Sequence, residues 1–477
     1  MSSLMPVASH EPVTEGAPAI LPRMSDYDVI IVGQGPAGEH CAGRLSDGGA
    51  KVAVVERELV GGECSYWACI PSKTLLRPGE ALQEAREAPG AAEAVGDAVV
   101  NAKGAFGWRD FMVSSYDDSG QAEWLESQGI ELIRGEGRIA GPGRVAVGEK
   151  EYSADHIVIS TGSDPVIPPI PGLEELEGVW TNREATGLKE VPGRLLVLGG
   201  GPVGVEMAQA VRRMGAEVAL VEGAEHVLSR EPRALGDALG EALEADGIEL
   251  HLGVHVTAAK RHGDGYALEL DDGSELRGDK LLIATGRKPR TEGLGLEEAG
   301  VKLGEHGNVE VDSRLSAGDG IWAIGDVTGV WPLTYVGKYQ GRVAAANILG
   351  RHAEANYDAV PRVVFTDPQA ASVGEAEGAK VVTVQLASVA RTSTYTRAYD
   401  KRPGFLTLVS DGEYLTGAHA LGPEAGEWLQ QATLAIRARV PLPVMADTIQ
   451  PFPSFSEAFM EAFLQLGTQK GVPAGAT

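Results

Sequence analysis

Two glycine-rich turns, each set between an apolar strand and an amphipathic helix and each followed by a glutamate, predict an α/β chain with two Rossmann-like dinucleotide-binding domains. Length and composition allow this. The 477 residues are enough for about three domains. Hydrophobic residues make up 43% and charged residues 23%, which excludes a mostly disordered chain. Lys and Arg total 41 against 67 Asp and Glu, giving a net charge of −26. Such acidity argues against a nucleic-acid or anionic-membrane partner. No apolar run approaches the ~18 residues of a membrane span. Residues 1–24 hold four prolines and no apolar core, so they read as a flexible N-terminal extension rather than a signal peptide. A cytoplasmic protein is expected.

The first unit opens with the apolar run Asp28-Val29-Ile30-Ile31-Val32, suited to a buried strand. Gly33-Gln34-Gly35-Pro36-Ala37-Gly38 follows at once. A helix is then predicted, with Ala37, Cys41 and Leu45 on one face and Gly48-Gly49 ending it. Cys41 reads as packing in that face. A second strand runs from Lys51 to Val55 and ends in Glu56, 23 residues beyond Gly33. The glycines let backbone approach a pyrophosphate, the helix N-terminus attracts it, and the acid accepts from a ribose hydroxyl.

The second unit repeats the pattern. Arg194 to Leu198 is a strand, Gly199-Gly200-Gly201-Pro202-Val203-Gly204 the turn, and Val203, Met207, Ala210 and Met214 mark a helix face. The strand from Glu217 to Val221 ends in Glu222, again 23 residues after the first glycine. Each unit also closes on a similar strand: Ile157-Val158-Ile159-Ser160-Thr161-Gly162 matches Leu281-Leu282-Ile283-Ala284-Thr285-Gly286. Two such sites in one chain suggest a resident redox cofactor and a diffusible reductant.

Three cysteines in a chain of this length do not make a disulfide framework. Cys64 and Cys69 lie five residues apart in Gly61-Gly62-Glu63-Cys64-Ser65-Tyr66-Trp67-Ala68-Cys69-Ile70-Pro71-Ser72-Lys73. Five residues of straight helix rise about 7.5 Å, beyond the ~6.8 Å upper range for bridged Cα atoms. A disulfide here therefore needs a bent segment. A helix beginning near Cys69 would lower a thiol pKa through its N-terminal amides. Zinc is a competing reading, although no second cysteine pair completes a four-ligand site. Two buried thiols are the plain reading. Redox chemistry is favoured, with no metal site assigned.

Together these residues resemble the FAD-dependent pyridine nucleotide–disulfide oxidoreductases, the class I family of lipoamide dehydrogenase, glutathione reductase and mercuric reductase. Gly-Gly-x-Cys-x4-Cys-x-Pro-Ser-Lys at 61–73 carries most of the resemblance. Ala284-Thr285-Gly286-Arg287-Lys288-Pro289, Ile321-Trp322-Ala323-Ile324-Gly325-Asp326-Val327 and Val363-Val364-Phe365-Thr366-Asp367-Pro368 are similar to later family motifs. The resemblance implies an FAD domain at 25–168 and 289–355, an NAD(P) domain at 169–288, an α+β dimerisation domain at 356–467 and a tail at 468–477. It implies that Gly33, Gly35, Gly38, Glu56, Gly62, Lys73, Thr161, Gly162 and Asp326 hold FAD. Gly199, Gly201, Gly204, Glu222 and Gly286 would hold the nicotinamide. Glu222 would repel a 2′-phosphate, so NADH is expected over NADPH. Cys69 would face the flavin, Cys64 would meet the substrate, and Lys73 and Glu206 would pair near the reactive edge. A homodimer is implied, with the segment Phe452–Glu457 facing the partner's thiols.

The pattern breaks at that segment. Relatives carry His-Pro-Thr-x-x-Glu, whose His serves the substrate-facing thiol; Phe452-Pro453-Ser454-Phe455-Ser456-Glu457 keeps the Pro and Glu but has Phe at the His position. General acid–base help is typically worth ~10²–10⁴-fold. Tyr66 and Glu457 are the candidate substitutes. The expected activity passes electrons from NADH through FAD and the Cys64–Cys69 disulfide to a small disulfide or thiol-reactive acceptor. Trp67, Phe452 and Phe455 suggest that this acceptor is apolar. Quinone reduction directly from flavin, mercury reduction and a redox-sensing role with vestigial turnover stay open.

Overall fold

The computed structural model describes residues 25–398 and 404–468. The expected extension 1–24 and nearly all of the expected tail lie outside the described residues. The architecture is α/β, with two parallel-sheet units and a C-terminal antiparallel sheet.

The first sheet is built on strands with almost no polar face. Every residue of Val52–Glu56 is buried, and so are five of six in Tyr27–Val32. Such strands need cover on both sides. They pair in parallel with each other and with Lys150–Ile159, which pairs in parallel with Ile321–Ala323. Glu131–Arg134 closes one edge. The helix Pro36–Asp47 covers one face, with Cys41 and Leu45 fully buried. It packs on the helix Thr334–Ile348, where a Cβ on Gly341 would stand 2.7 Å from the Ala37 carbonyl oxygen. Only glycine permits that approach.

The second sheet orders Glu249–Leu252, Glu217–Glu222, Arg194–Leu198 and Lys280–Ile283, all parallel. An antiparallel meander, Val256–His262, Gly265–Leu270 and Glu275–Gly278, packs Leu268 and Leu276 against Leu281 and Ile283. The chain enters and leaves this unit side by side, because Ser163–Pro165 pairs antiparallel with Arg287–Pro289. The ladders stop at Ile159 and Ile283 rather than running on to Gly162 and Gly286. Those glycines, at φ +76° and +140°, turn the chain out of the sheet.

The last sheet is antiparallel, in the order Arg362–Val364, Gln369–Gly374, Leu415–Gly422, Phe405–Ser410, Lys380–Gln385. The helix Glu457–Thr468 lies against it and buries Phe459 and Phe463 completely or nearly so. Truncating either ring to Ala should cost about 3–5 kcal/mol. No helix among the described residues is long and apolar enough to cross a membrane.

Candidate active site

The strands deliver their loops to one edge. Gly33, at φ +100°, starts the first turn, and Gly35 caps the helix Pro36–Asp47 with Pro36 at its first position. A Cβ on Gly38 would lie 2.3 Å from the Gly33 carbonyl oxygen, so helix and turn fit only as glycine. Glu56 accepts from the Gln34 and Glu58 backbone N–H groups, each at 2.8 Å. The strand ends beside it bring Thr161 and Gly162 next to this turn, because a Cβ on Gly33 would meet the Ser160 carbonyl oxygen at 2.4 Å. Thr161 donates to the Arg290 carbonyl oxygen. Asp326 follows Ile321–Ala323 and accepts from Ser163 Oγ at 2.6 Å. Nothing lies within 4 Å of a Cβ built on Gly35 or Gly162, so backbone there faces open space, as a pyrophosphate cradle requires.

The second turn repeats this geometry. Gly199 has φ +110°, and a Cβ on Gly204 would stand 1.9 Å from its carbonyl oxygen. Glu222 accepts from the Gly200 and Ala224 N–H groups at 2.7 and 2.8 Å. Gly286 follows the strand Lys280–Ile283, and the Ala284 carbonyl oxygen lies against Gly199.

The cysteines sit where two helices meet. Gly62–Tyr66 is one helix and Cys69–Glu87 the next. Trp67 and Ala68 break between them, with Ala68 at φ −133°, ψ −101°. This is the bend a disulfide at this spacing would need. Gly62, at φ +60°, seats the first helix directly on the first turn; a Cβ there would be 2.8 Å from Gly35 Cα. Both thiols are free, and their sulfurs hydrogen-bond each other. Thr334, 265 residues beyond Cys69, donates its hydroxyl toward Cys64 Sγ at 3.2 Å and stands 3.3 Å from Cys69 Sγ. The Cys64 hydrogen bond, the Thr334 hydroxyl and the Lys73 charge bring Cys69 down to about 6, against burial and Glu206. Cys64 is pushed up, by its bond to Cys69 first and by burial second. Thiolate character is therefore favoured on Cys69 and disfavoured on Cys64.

Lys73 Nζ meets Glu206 Oε2 at 2.7 Å. Glu206 lies on the helix Pro202–Arg213 of the second unit, so this pair joins the two units beside the thiols. Its other oxygen accepts from the Phe365 N–H at 2.9 Å, and Lys73 lies 4.8 Å over the Phe365 ring. A further chain of polar contacts is not readable locally. Asn182 donates to Glu63 and to the Trp67 carbonyl oxygen, Arg287 donates to Asn182 and Ser163, and Arg183 pairs with Glu63. Thr334 was missed too, because no motif links it to the cysteines.

The C-terminal segment differs from expectation at one ring. Phe452 is 76% exposed, but Phe455 is buried in the last sheet's core, 5.4 Å from the Tyr395 ring. Phe455 therefore cannot line an acceptor site. Trp67 packs on Tyr66 and Tyr116, with Arg183 4.2 Å over its ring. Glu457 accepts from the Ser454 N–H at 3.1 Å. Among the described residues no hydrogen bond joins this segment to either cysteine. Tyr66 is also withdrawn: it is buried, donates to the Val60 carbonyl oxygen and is pushed up to about 12 by burial. No group of three His, Cys, Asp or Glu among the described residues could hold a metal ion.

Comparison with known proteins decides the family. Residues 27–341 match the pyridine nucleotide-disulphide oxidoreductase model, and 360–463 match the dimerisation domain of the same family. This chain belongs to the pyridine nucleotide–disulphide oxidoreductases. Members of this family are enzymes that use FAD and NAD(P)H. The chain is 37% identical to a dihydrolipoyl dehydrogenase of Thermus scotoductus, over 92% of this chain and 97% of that one. It is 33% identical to a mercuric reductase of Staphylococcus aureus, over 93% and 83%. Among solved structures, the HOCl-induced flavoprotein disulfide reductase RclA of Escherichia coli, as its Cu(II) complex, is similar at a TM-score of 0.82 and 29% identity, covering 93% of this chain and all 100% of that one. As a pyridine nucleotide–disulphide oxidoreductase, the chain has its thiol pair where the first glycine turn, the Lys73–Glu206 pair and Thr334 converge.

Proposed function

We propose that this oxidoreductase carries electrons from NADH through FAD to the Cys64–Cys69 couple and on to a disulfide or another thiol-reactive acceptor. The observation that carries the reading is the bent cysteine pair, whose two sulfurs both lie within hydrogen-bond reach of the Thr334 hydroxyl beside the Lys73–Glu206 pair. FAD, when bound, accepts hydride equivalents from the nicotinamide and exchanges two electrons with the couple. Gly33, Gly35, Gly38, Glu56, Gly62, Lys73, Thr161, Gly162 and Asp326 hold it. The open backbone at Gly35 and Gly162 fits such a group. Gly199, Gly201, Gly204, Glu222 and Gly286 hold NADH. The domains divide as 25–168 with 289–355 for FAD, 169–288 for the nicotinamide, and 356–467 for a homodimer interface. In that dimer Phe452 and Glu457 reach the partner subunit's thiols. The protein works in the cytoplasm.

Within this scheme Lys73 screens the Cys69 thiolate, and Glu206 fixes Lys73. Cys64 is the sulfur that meets the acceptor. One observation favours a second acceptor class. Phe452 carries no proton, Tyr66 is buried and Glu457 is engaged with its own helix. A thiophilic metal ion binds thiolates and takes electrons without needing a protonated leaving group. The mercuric reductase among the relatives and the Cu(II) in the RclA structure fit that class.

The test is anaerobic titration with NADH followed by disulfide, quinone, Hg(II) and Cu(II) acceptors, in wild type and Cys64→Ser. Loss of turnover with the disulfide and metal acceptors in the variant is expected, with flavin reduction by NADH retained. Full turnover in Cys64→Ser would transfer the chemistry to the flavin alone.

A further inference from the structure

We propose that the thiol pair serves a negatively charged disulfide, held by a basic cluster on two packed helices of the first unit: His40 and Arg44 on Pro36–Asp47, Lys338 and Arg342 on Thr334–Ile348. The proposal rests on the thiol-mediated reading above and names the acceptor class for it.

The helix contact places these four side chains together. Gly337 and Gly341 form the contact face of Thr334–Ile348. A Cβ on Gly337 would meet Ala37 Cβ at 3.1 Å, and one on Gly341 would meet the Cys41 nitrogen at 3.2 Å. Lys338 and Arg342 each follow one of those glycines, four residues apart, so they share one side of the helix next to the contact. His40 and Arg44 are also four apart, each just before a buried residue, Cys41 and Leu45. The His40 ring is kept below its ordinary pKa by burial first, and then by the charges of Arg44, Lys338 and Arg342, so all four groups face one another. The three cations are exposed and His40 is half-buried.

The cluster begins at the reacting sulfur. Thr334 Oγ1 donates to Cys64 Sγ at 3.2 Å, and Lys338 and Arg342 follow on the same helix, four and eight residues later. A helix rises ~1.5 Å per residue, so the two cations stand about 6 and 12 Å along the axis from the residue that touches Cys64. Lys338 also acts on Cys64, against the stronger effects of Cys69 and burial.

These cations lack protein partners although acids outnumber Lys and Arg by 67 to 41. Among the described residues, the side chains of Arg44, Lys338 and Arg342 make no ion pair; Arg342 lies over the Tyr339 ring at 5.2 Å. Elsewhere around the thiols the charges are matched, Lys73 with Glu206 and Arg183 with Glu58 and Glu63. Glu39 faces Lys338, but burial raises its pKa. Like charges one turn apart destabilise a helix, and here two adjacent helices carry such a pair. A bound anion offsets that repulsion. The rings that suggested an apolar acceptor do not oppose it: Phe455 is in the core, and Trp67 is packed by Tyr116 and Arg183.

The test reads the charge around Cys64 with two reagents. The full-length flavoprotein, reduced at its dithiol, is alkylated at neutral pH and low salt with iodoacetate or iodoacetamide, and Cys64 labelling is followed by mass spectrometry. The reagents differ by one negative charge and attach through the same bond. With each rate divided by that of free cysteine, we expect iodoacetate to be favoured about tenfold. Added salt should reduce that preference. Lys338→Gln combined with Arg342→Gln should return the ratio to the free-cysteine value, and Arg342→Lys should keep it. If the double variant folds poorly, each single change should lower the preference by part of that amount. Turnover with NADH then compares oxidised lipoate with lipoamide, which share a dithiolane ring and differ by one carboxylate. Lipoate is expected to show a KM about tenfold lower, and the double variant to erase the difference. A wild-type labelling ratio equal to that of free cysteine would overturn the proposal. So would an iodoacetate preference that survives the double variant, or equal KM values for the two dithiolanes. Labelling needs no turnover, so a failure of the thiol-mediated reading, seen as turnover surviving Cys64→Ser, stays distinguishable from a failure of the basic cluster.

Discussion

The two glycine-rich units share a turn and differ in what sits on it. In both, the first glycine is left-handed, at φ +100° and +110°, and the capping glycine is extended, at ψ −178° in each case. In both, the acid takes two backbone N–H groups. After Glu56, however, the chain returns through Gly61 and Gly62 to lie on its own turn, and the thiol helices begin there. After Glu222 the chain also returns to its own turn, where the Leu228 N–H donates to the Gly200 carbonyl oxygen at 2.8 Å as the Gly61 N–H does to that of Gln34, but it carries no thiol pair; Pro202 is exposed where Pro36 is half-buried, and Glu222 is half-buried where Glu56 is buried. With FAD on the first turn and NADH on the second, as proposed, the same turn would serve a ligand held for the protein's lifetime and one that leaves every cycle. Cover, rather than turn chemistry, makes the difference.

The largest test of that comparison is a methyl group at equivalent positions. Gly38→Ala and Gly204→Ala each drive a Cβ into a backbone carbonyl, at 2.3 and 1.9 Å. Each should cost about 3 kcal/mol or more locally, because backbone must move. Gly38→Ala is expected to purify without flavin colour. Gly204→Ala should stay yellow and lose NADH binding, despite the tighter clash. Flavin absorbance after gel filtration and NADH titration separate the two. Colour lost equally from both would mean that the units are not specialised.

A smaller effect tests where the units meet. Lys73 belongs to the segment added to the first unit, Glu206 to the helix of the second, and both act on Cys69. Their signs are opposite: Lys73 lowers the thiol and Glu206 raises it. The Cys69 thiolate is present above about pH 6 and is lost as pH falls through that value. Lys73→Met should move the midpoint for Cys69 alkylation upward by about one pH unit, and Glu206→Gln downward by less. Movement in the same direction would show that the pair acts on Cys69 by packing alone.

The turns were legible because everything they need is local: glycines for φ and for close approach, proline at the helix start, an acid at the next strand's end. Helix rise called for a bend between the cysteines only if they pair as a disulfide, and the structure has that bend with both thiols free. The groups that tune the thiols were not legible. Thr334 reaches Cys69 from 265 residues away with no shared pattern, whereas Glu206, 133 residues from Lys73, was read only through the family resemblance. Arg109 lies between exposed Trp108 and Phe111, yet it is fully buried and donates to the Thr186 and Leu188 carbonyl oxygens, which no local pattern marks. Phe455 misled in the opposite direction. An aromatic ring three residues from Phe452 suggested an apolar acceptor wall, but the start of the helix Glu457–Thr468 turns it into the core. Sequence spacing fixes direction within an element and loses it across the junction between a loop and a helix.

The finest difference between the units lies in their acids. Removing either carboxylate orphans two N–H groups, and bonds of that charged kind are worth about 1.5–3 kcal/mol. At Glu56 the Gln34 N–H is buried, although Glu58 is exposed, so Glu56→Ala should slow recovery of flavin by the apoprotein and lower the melting temperature. At Glu222 water can replace the carboxylate, so stability should hardly change. Glu222→Ala should instead act on choice. Losing an acceptor for the ribose hydroxyl should raise KM for NADH by about tenfold, and losing its repulsion of a 2′-phosphate should lower KM for NADPH. The His255 ring packs beside Gly223, where an added Cβ would meet it at 2.6 Å, and so places a second group one residue from Glu222. A Glu222→Ala enzyme with an unchanged ratio of NADH to NADPH use would assign any selectivity to a group such as His255 rather than to the acid that the two units share.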